Sequence, residues 1–192
     1  MANYALLTAS GQDRPGIVAA IVRVLFESDC NVEDSQMARL GPEFACMLAV
    51  RMPEGLLSDQ LAERFRKVSA EWGLRVHVSE LRPEEAGQTR SDAVLHVIRV
   101  HGADRKGIVY RLTEHLAARG VNIANLQTEV IRHQPPLYVM VIEAELPSFL
   151  DAAALRDELV AIGREIQVEV RMEPKGPESL SERLRGFMEG AS

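Results

Sequence analysis

The segment Gly11-Gln12-Asp13-Arg14-Pro15-Gly16-Ile17-Val18 occurs twice, returning as Gly102-Ala103-Asp104-Arg105-Lys106-Gly107-Ile108-Val109. Gly, Asp, Arg, Gly, Ile and Val keep their relative positions, at an offset of 102 − 11 = 91 residues. The offset runs on without a gap to Asn31-Val32 and Asn122-Ile123. In a chain of 192 residues this spacing predicts two copies of one domain. A unit of ~80 to 90 residues buries only a modest share of its surface alone, so packing between halves or between chains is expected.

Each copy reads as β-α-β-β-α-β. In the first, Tyr4 to Ala9 is a short apolar run that reads as a strand and stops at Ser10-Gly11. Asp13 is placed to cap the following helix, and Pro15 suits its first turn. Ile17, Ile21, Val24 and Leu25 share one face, so residues 15–28 read as an amphipathic helix. Strands follow from Asn31 to about Leu40 and from Phe44 to Met52, separated by the turn Gly41-Pro42-Glu43. Ser58 is the expected N-cap of a second helix, with Leu61, Phe65 and Val68 inward, Trp72 near its end and Gly73 as its stop. Residues 74–81 alternate as a half-buried strand does.

The same order returns in the second copy. Ala93 to His101 reads as a strand, 106–119 as a helix, Asn122 to Arg132 and Leu137 to Glu145 as strands, 151–162 as a helix and 166–170 as a strand. Met47 and Met140 are taken as equivalents, which lengthens the turn around His133-Gln134-Pro135-Pro136. The expected domains are therefore 1–82 and 92–173, with a polar linker at 83–91 and a tail at 174–192. In the tail Leu180, Leu184, Phe187 and Met188 fit either one short amphipathic helix or a partly ordered end. Two such units imply α+β ferredoxin-like folds, antiparallel four-stranded sheets with helices on one face. Sheet edges would then be free to join side by side.

A net charge of −6, with neither half basic, removes the main electrostatic requirement for direct nucleic-acid binding. The two cysteines, Cys30 and Cys46, form no CxxC pair and read as small buried hydrophobes. The start Met1-Ala2-Asn3-Tyr4 has no basic region, and no apolar run is long enough to span a membrane. Those features predict a cytoplasmic protein without a membrane partner. There is no G-x-S-x-G, G-x-G-x-x-G, P-loop or zinc-binding spacing, so no enzyme activity, cofactor or metal is expected. Glu80 and Glu169 read as solvent-facing strand positions. Of the five histidines, His77, His96, His115 and His133 read as structural or surface residues. His101 stands immediately before the second glycine loop and is a candidate ligand contact.

The Gly-x-Asp-Arg-Pro-Gly-Ile-Val segment, followed by Cys-Asn-Val in one copy and Val-Asn-Ile in the other, resembles the signature of ACT domains. ACT domains are small regulatory units that bind amino acids and similar metabolites where two units meet. The resemblance covers residues 3–82 and 92–173. A pair of such units without a catalytic domain resembles the glycine cleavage system transcriptional repressor family, whose members are thought to act by contacting a DNA-binding activator.

That resemblance implies a non-enzymatic, amino-acid-sensing regulator, with glycine or serine as candidate ligands, a regulatory protein partner and a homodimeric state. It points to Ser10, Gly11, Asp13, Arg14, Gly16, Ile17 and Asn31 in copy one. In copy two it points to His101, Gly102, Asp104, Gly107, Ile108 and Asn122. The chemistry is that of free N–H groups and a helix dipole receiving a carboxylate, with Asp and Asn side chains meeting the rest of the ligand. The plainer alternative makes Asp13 and Asp104 helix caps and the glycines turn residues. Copy two has Lys106 for Pro15 and His101 for Ser10, which favours one good site over two equivalent ones. A ligand-independent module acting on a metabolic enzyme or transcription factor is the alternative function.

Overall fold

A computed structural model describes residues 3–82, 93–132 and 136–176. The chain forms two compact units that divide between Thr89 and Arg90. The expected linker at 83–91, most of the 133–136 turn and the apolar tail positions Leu180, Leu184, Phe187 and Met188 lie outside the described residues.

The first unit runs β1 (Asn3–Gln12), α1 (Ile17–Glu27), β2 (Asn31–Leu40), β3 (Glu43–Met52), α2 (Ser58–Arg64), α3 (Arg66–Trp72) and β4 (Arg75–Leu81). The second runs β5 (Val94–Ala103), α4 (Ile108–Ala118), β6 (Asn122–Ile131), β7 (Leu137–Leu146), α5 (Ala152–Glu165) and β8 (Val168–Pro174). Their sheets have the orders β2-β3-β1-β4 and β6-β7-β5-β8, antiparallel throughout. This is the ferredoxin-like α+β arrangement expected for both copies.

Strand period fixes which side chains enter the core. Along β1, Ala5, Leu7 and Ala9 are buried while Tyr4, Leu6, Thr8 and Ser10 face the other way and are half-buried. The buried set joins Ile17, Ile21, Val24 and Leu25 of α1 with Leu61 and Phe65 in one core. In the second unit Ile98 and Val100, Leu112 and Leu116, and Leu155 and Leu159 do the same. The edge strands β2 and β6 each carry one bulge, between Val32 and Asp34 and between Ile123 and Asn125, so even the irregularity repeats at 33 + 91 = 124.

Four local expectations are corrected. Strand β1 continues through Gly11 to Gln12, because those residues still pair with Phe44 and Glu43 of β3. Ser58 is the first residue of α2 rather than its cap; the Gln60 side chain instead accepts from the Leu57 N–H at 3.1 Å. The expected single helix over 58–72 is two pieces. At Phe65 the N–H turns to Ala62 at 3.1 Å, and the ring is buried at the joint. The break lets α2 lie against β4 while α3 lies against α1.

The fourth correction concerns register. Ala9 pairs with Cys46 and Val100 with Met140, so Cys46 is the equivalent of Met140, at 46 + 94 = 140. Met47 and Met140 lie on opposite faces, one 49% exposed and the other fully buried. A slip of one residue exchanges the faces of a strand. The turn in the second copy is therefore three residues longer, not two.

Helix α5 runs unbroken and shows why Gly163 stands in it. A Cβ there would lie 2.6 Å from Val170 Cγ2 and 2.9 Å from the Val168 carbonyl oxygen. Glycine costs helix propensity but permits this close approach to β8. Gly163→Ala is expected to destabilise the second unit by about 1–3 kcal/mol through overpacking. A chemical-denaturation midpoint at or above that of the native chain would refute the close-packing account.

Candidate functional site

The two glycines of the repeated loop do different work. Gly11 and Gly102 lie within strands, where a Cβ would press on the strand-leading segment of the same unit. At Gly11 it would sit 2.9 Å from the Gly73 carbonyl oxygen; at Gly102 it would sit 3.0 Å from Val168 Cγ1 and 3.1 Å from the Gln167 oxygen. Close approach within the unit, not a sharp turn, explains them. Gly16 and Gly107 are the N-caps of α1 and α4, with φ of 94° and 92°. That left-handed backbone is where glycine is favoured.

Asp13 and Asp104 are not caps, since neither helix start receives a side-chain hydrogen bond. The positive-φ glycine ends the approach to the helix in their place. Asp13 instead donates its N–H to the Pro42 carbonyl at 2.7 Å, and its carboxylate lies 3.5 Å from Arg39 at the end of β2. Asp104 is exposed. Burial first, and the charge of Asp104 second, push the Tyr138 hydroxyl above its ordinary range. Ile17 and Ile108 point into the cores, at 3% and 2% exposure.

Around the first loop lies an open cleft of about 860 Å³, lined among others by Asp13, Arg14, Gly16, Val18 and Arg39. In the first turn of α1 the Ile17 N–H donates to Arg14 at 3.3 Å, and Ala20 closes onto Gly16 at 2.9 Å. The N–H groups of Val18 and Ala19 belong to the free first turn, at the positive end of the helix dipole. Two arginines and this dipole suit a carboxylate. Arg14 itself is folded back. Its guanidinium lies 4.5 Å from the centre of the Trp72 ring, and Nη2 donates to the Glu71 carbonyl at 3.0 Å.

Asn31 and Asn122 are elsewhere. Asn31 pairs with Arg51, and Tyr4 pairs with Arg51 on its other side, so Asn31 lies at the sheet end remote from Gly11. Seven residues of strand separate Tyr4 from Gly11, about 23 Å at ~3.3 Å per residue. The amides are also engaged. Asn31 Nδ2 donates to Glu33 at 2.8 Å, and Asn122 Nδ2 to Glu145 at 2.7 Å. Each unit by itself therefore brings the loop residues together but does not bring the asparagine to them.

Arg51 also binds Glu33, Nε to Oε1 at 2.6 Å. That bond, with the Asn31 amide second, holds the Glu33 carboxyl below its ordinary range. A depressed folded value contributes stability above the unfolded pKa and loses it as pH falls through the folded one. The stability difference between the native chain and Arg51→Met should therefore shrink as pH is lowered from about 6 to about 3. A difference that stays constant over that range would show that the pair carries none of it.

Ser10 and His101 face the open side of their sheets. Arg75 Nε donates to Ser10 Oγ at 3.4 Å, and His101 Nε2 lies 3.2 Å from Glu169. Glu169 is thus paired, and Arg171 first holds its carboxyl below the usual range. Of the other described histidines, His96 is buried with Nδ1 3.1 Å from the Val94 carbonyl oxygen, and His115 lies 2.8 Å from Glu158. Among the described residues no three His, Cys, Asp or Glu converge as a metal site, and no helix is long and apolar enough to cross a membrane.

Three features beside the loop were not singled out from the sequence. Arg39 arrives because the β2–β3 turn returns the end of β2 to the end of β1; the Gly41-Pro42 signal implied that return. Trp72 arrives through the packing of α3. Val18, Val22 and Phe26 form a stripe on α1 exposed by 37%, 39% and 79%, and their spacing of four residues was readable. The corresponding positions of α4 are Val109, Thr113 and Ala117.

Two ferredoxin-like units, each with a glycine-governed loop between its first strand and first helix, define a tandem α+β protein. The chain belongs to the ACT domain family, whose model matches residues 3–79 and 95–173. It is 29% identical over 175 residues to the glycine cleavage system transcriptional repressor of Escherichia coli, covering 87% of each chain. It is 40% identical over 75 residues to a UPF0237 protein of Methanopyrus kandleri, covering 38% of this chain and 83% of that one. A crystal structure of an unknown protein from Galdieria sulphuraria, 26% identical, matches with a TM-score of 0.77 over 91% of this chain and 99% of that one.

Proposed function

We propose that this chain is a non-enzymatic regulator that binds an amino acid where two ACT units meet and thereby alters its contact with a protein partner. The separation of Asn31 from the Gly11–Gly16 loop carries this reading. The parts of the repeated signature lie about 23 Å apart within a unit, so one small ligand touching both spans two units. The exposed stripe Val18, Val22 and Phe26 beside the loop supports such a junction, because apolar side chains at this spacing favour a covered face. A homodimer of the chain supplies two copies of that face. Similarity to a glycine cleavage system transcriptional repressor supports a role in transcriptional control; glycine and serine are the first candidate ligands. Coupling between ligand and partner is expected at ~1–3 kcal/mol.

The competing reading is a ligand-independent interaction module. The engagement of both asparagine amides by carboxylates of their own units favours it. Thermal unfolding against a panel of amino acids separates the two. A ligand at 100 times its dissociation constant adds about 2.7 kcal/mol. If no amino acid raises the midpoint, sensing is excluded and the module reading stands.

A further inference from the structure

The two loops share a sequence but differ in what lies behind them. In the first unit the Gly16 backbone abuts Trp72, so that a Cβ there would come 3.0 Å from Trp72 Cη2. Arg14, two residues earlier, covers the ring at 4.5 Å and fastens to the Glu71 carbonyl at 3.0 Å. Loop and α3 are thus joined by a stacked cation, a hydrogen bond and a backbone contact. In the second unit the segment Trp72-Gly73-Leu74 is replaced by Ile166-Gln167-Val168: Gly11 meets Gly73 and Leu74, whereas Gly102 meets Gln167 and Val168. Among the described residues nothing lies within 4 Å of a Cβ placed on Gly107.

We propose that Trp72 is a positioning residue: with Arg14 it holds the first loop in its binding conformation, and so makes copy one, not copy two, the unit whose loop receives the amino acid. The affinity part of this rests on the sensing reading above; the bracing does not. A ligand that needs an ordered run of N–H groups loses affinity in proportion to the time the loop spends elsewhere. Trp72 touches the loop from the side of α3, and its role is to fix backbone.

The test has two arms on the full chain. First, amide hydrogen exchange without ligand should be slower over 11–19 than over 102–110. Trp72→Leu should speed exchange over 11–19 alone, and Ile166→Trp should slow it over 102–110. Equal exchange in the two native loops, or no response to Trp72→Leu, overturns the brace whatever binds. Second, glycine and serine are titrated calorimetrically, with the fluorescence of Trp72, the chain's one tryptophan, as a second readout in the native chain. If Trp72→Leu leaves the loop ordered for about one tenth of the time, affinity falls about tenfold. Unchanged affinity overturns the positioning role. Absence of glycine and serine binding by the native chain, with the exchange arm as expected, overturns these two as ligands and the role of Trp72 in their affinity, while the brace stands.

Discussion

Phe65→Ala is expected to remove about 3–5 kcal/mol from the first unit, the range for truncating a buried phenylalanine. The ring is 1% exposed and is among the largest fully buried side chains. It also sits at the joint between α2 and α3, with Leu61 beside it in sequence order on the same core face. The loss combines the transfer term with a cavity that two short helices cannot close without shifting. A unit of this size has about 5–15 kcal/mol in all, so the variant unit should stand near its threshold. The cores of the two units share no residue. Calorimetry of Phe65→Ala should therefore show a transition moved far down for the first unit and one near its native position for the second. A loss below about 1 kcal/mol would show that the site relaxes; a single transition moved down as a whole would show that the units unfold as one.

The repeat and the period of the strands were enough to read the fold. Gly, Asp, Arg and Gly at fixed spacing, with an apolar run in β1 and alternation along β4 and β8, leave few arrangements other than two βαββαβ units. What the sequence concealed depended on contacts between distant residues. Arg14 and Glu71 are 57 positions apart, and no local pattern announces their hydrogen bond. The break at Phe65 has no proline or glycine to signal it; burial of one ring in a small core decides it. Asp13 looked like a cap because Asp commonly is one, yet Gly16 at φ 94° occupies the capping position and turns Asp13 toward Arg39. The methionine pair Met47 and Met140 failed for a different reason: chemical likeness outvoted the period of the strand, and a one-residue error changed the face. The position of Asn31 was legible in principle. Strands β1 and β2 both pair antiparallel with β3 and so run the same way, which sets Asn31, at the start of β2, level with the start of β1 and a strand's length from the loop at its end.

Gly16→Ala is expected to cost more than Gly107→Ala, although the two positions share a sequence context and a backbone angle. Both place an L side chain at φ above 90°, a strain of about 1–3 kcal/mol. Gly16 adds a steric contact, with Trp72 Cη2 3.0 Å from the new methyl carbon, whereas the space at Gly107 is open among the described residues. Trp72 cannot withdraw freely, because Arg14 is stacked on it and bonded to the Glu71 carbonyl. Overpacking of this kind adds about 1–3 kcal/mol, so Gly16→Ala should approach the cost of Phe65→Ala while Gly107→Ala should not. Denaturant midpoints of the two alanine variants, each also made with Trp72→Leu, measure the difference directly. With Trp72 shortened, the extra cost at Gly16 should disappear and that at Gly107 should stay as it was. Equal costs at both glycines in the native background would mean that the first loop yields to a methyl group as readily as the second, and that the contact with Trp72 does not hold it.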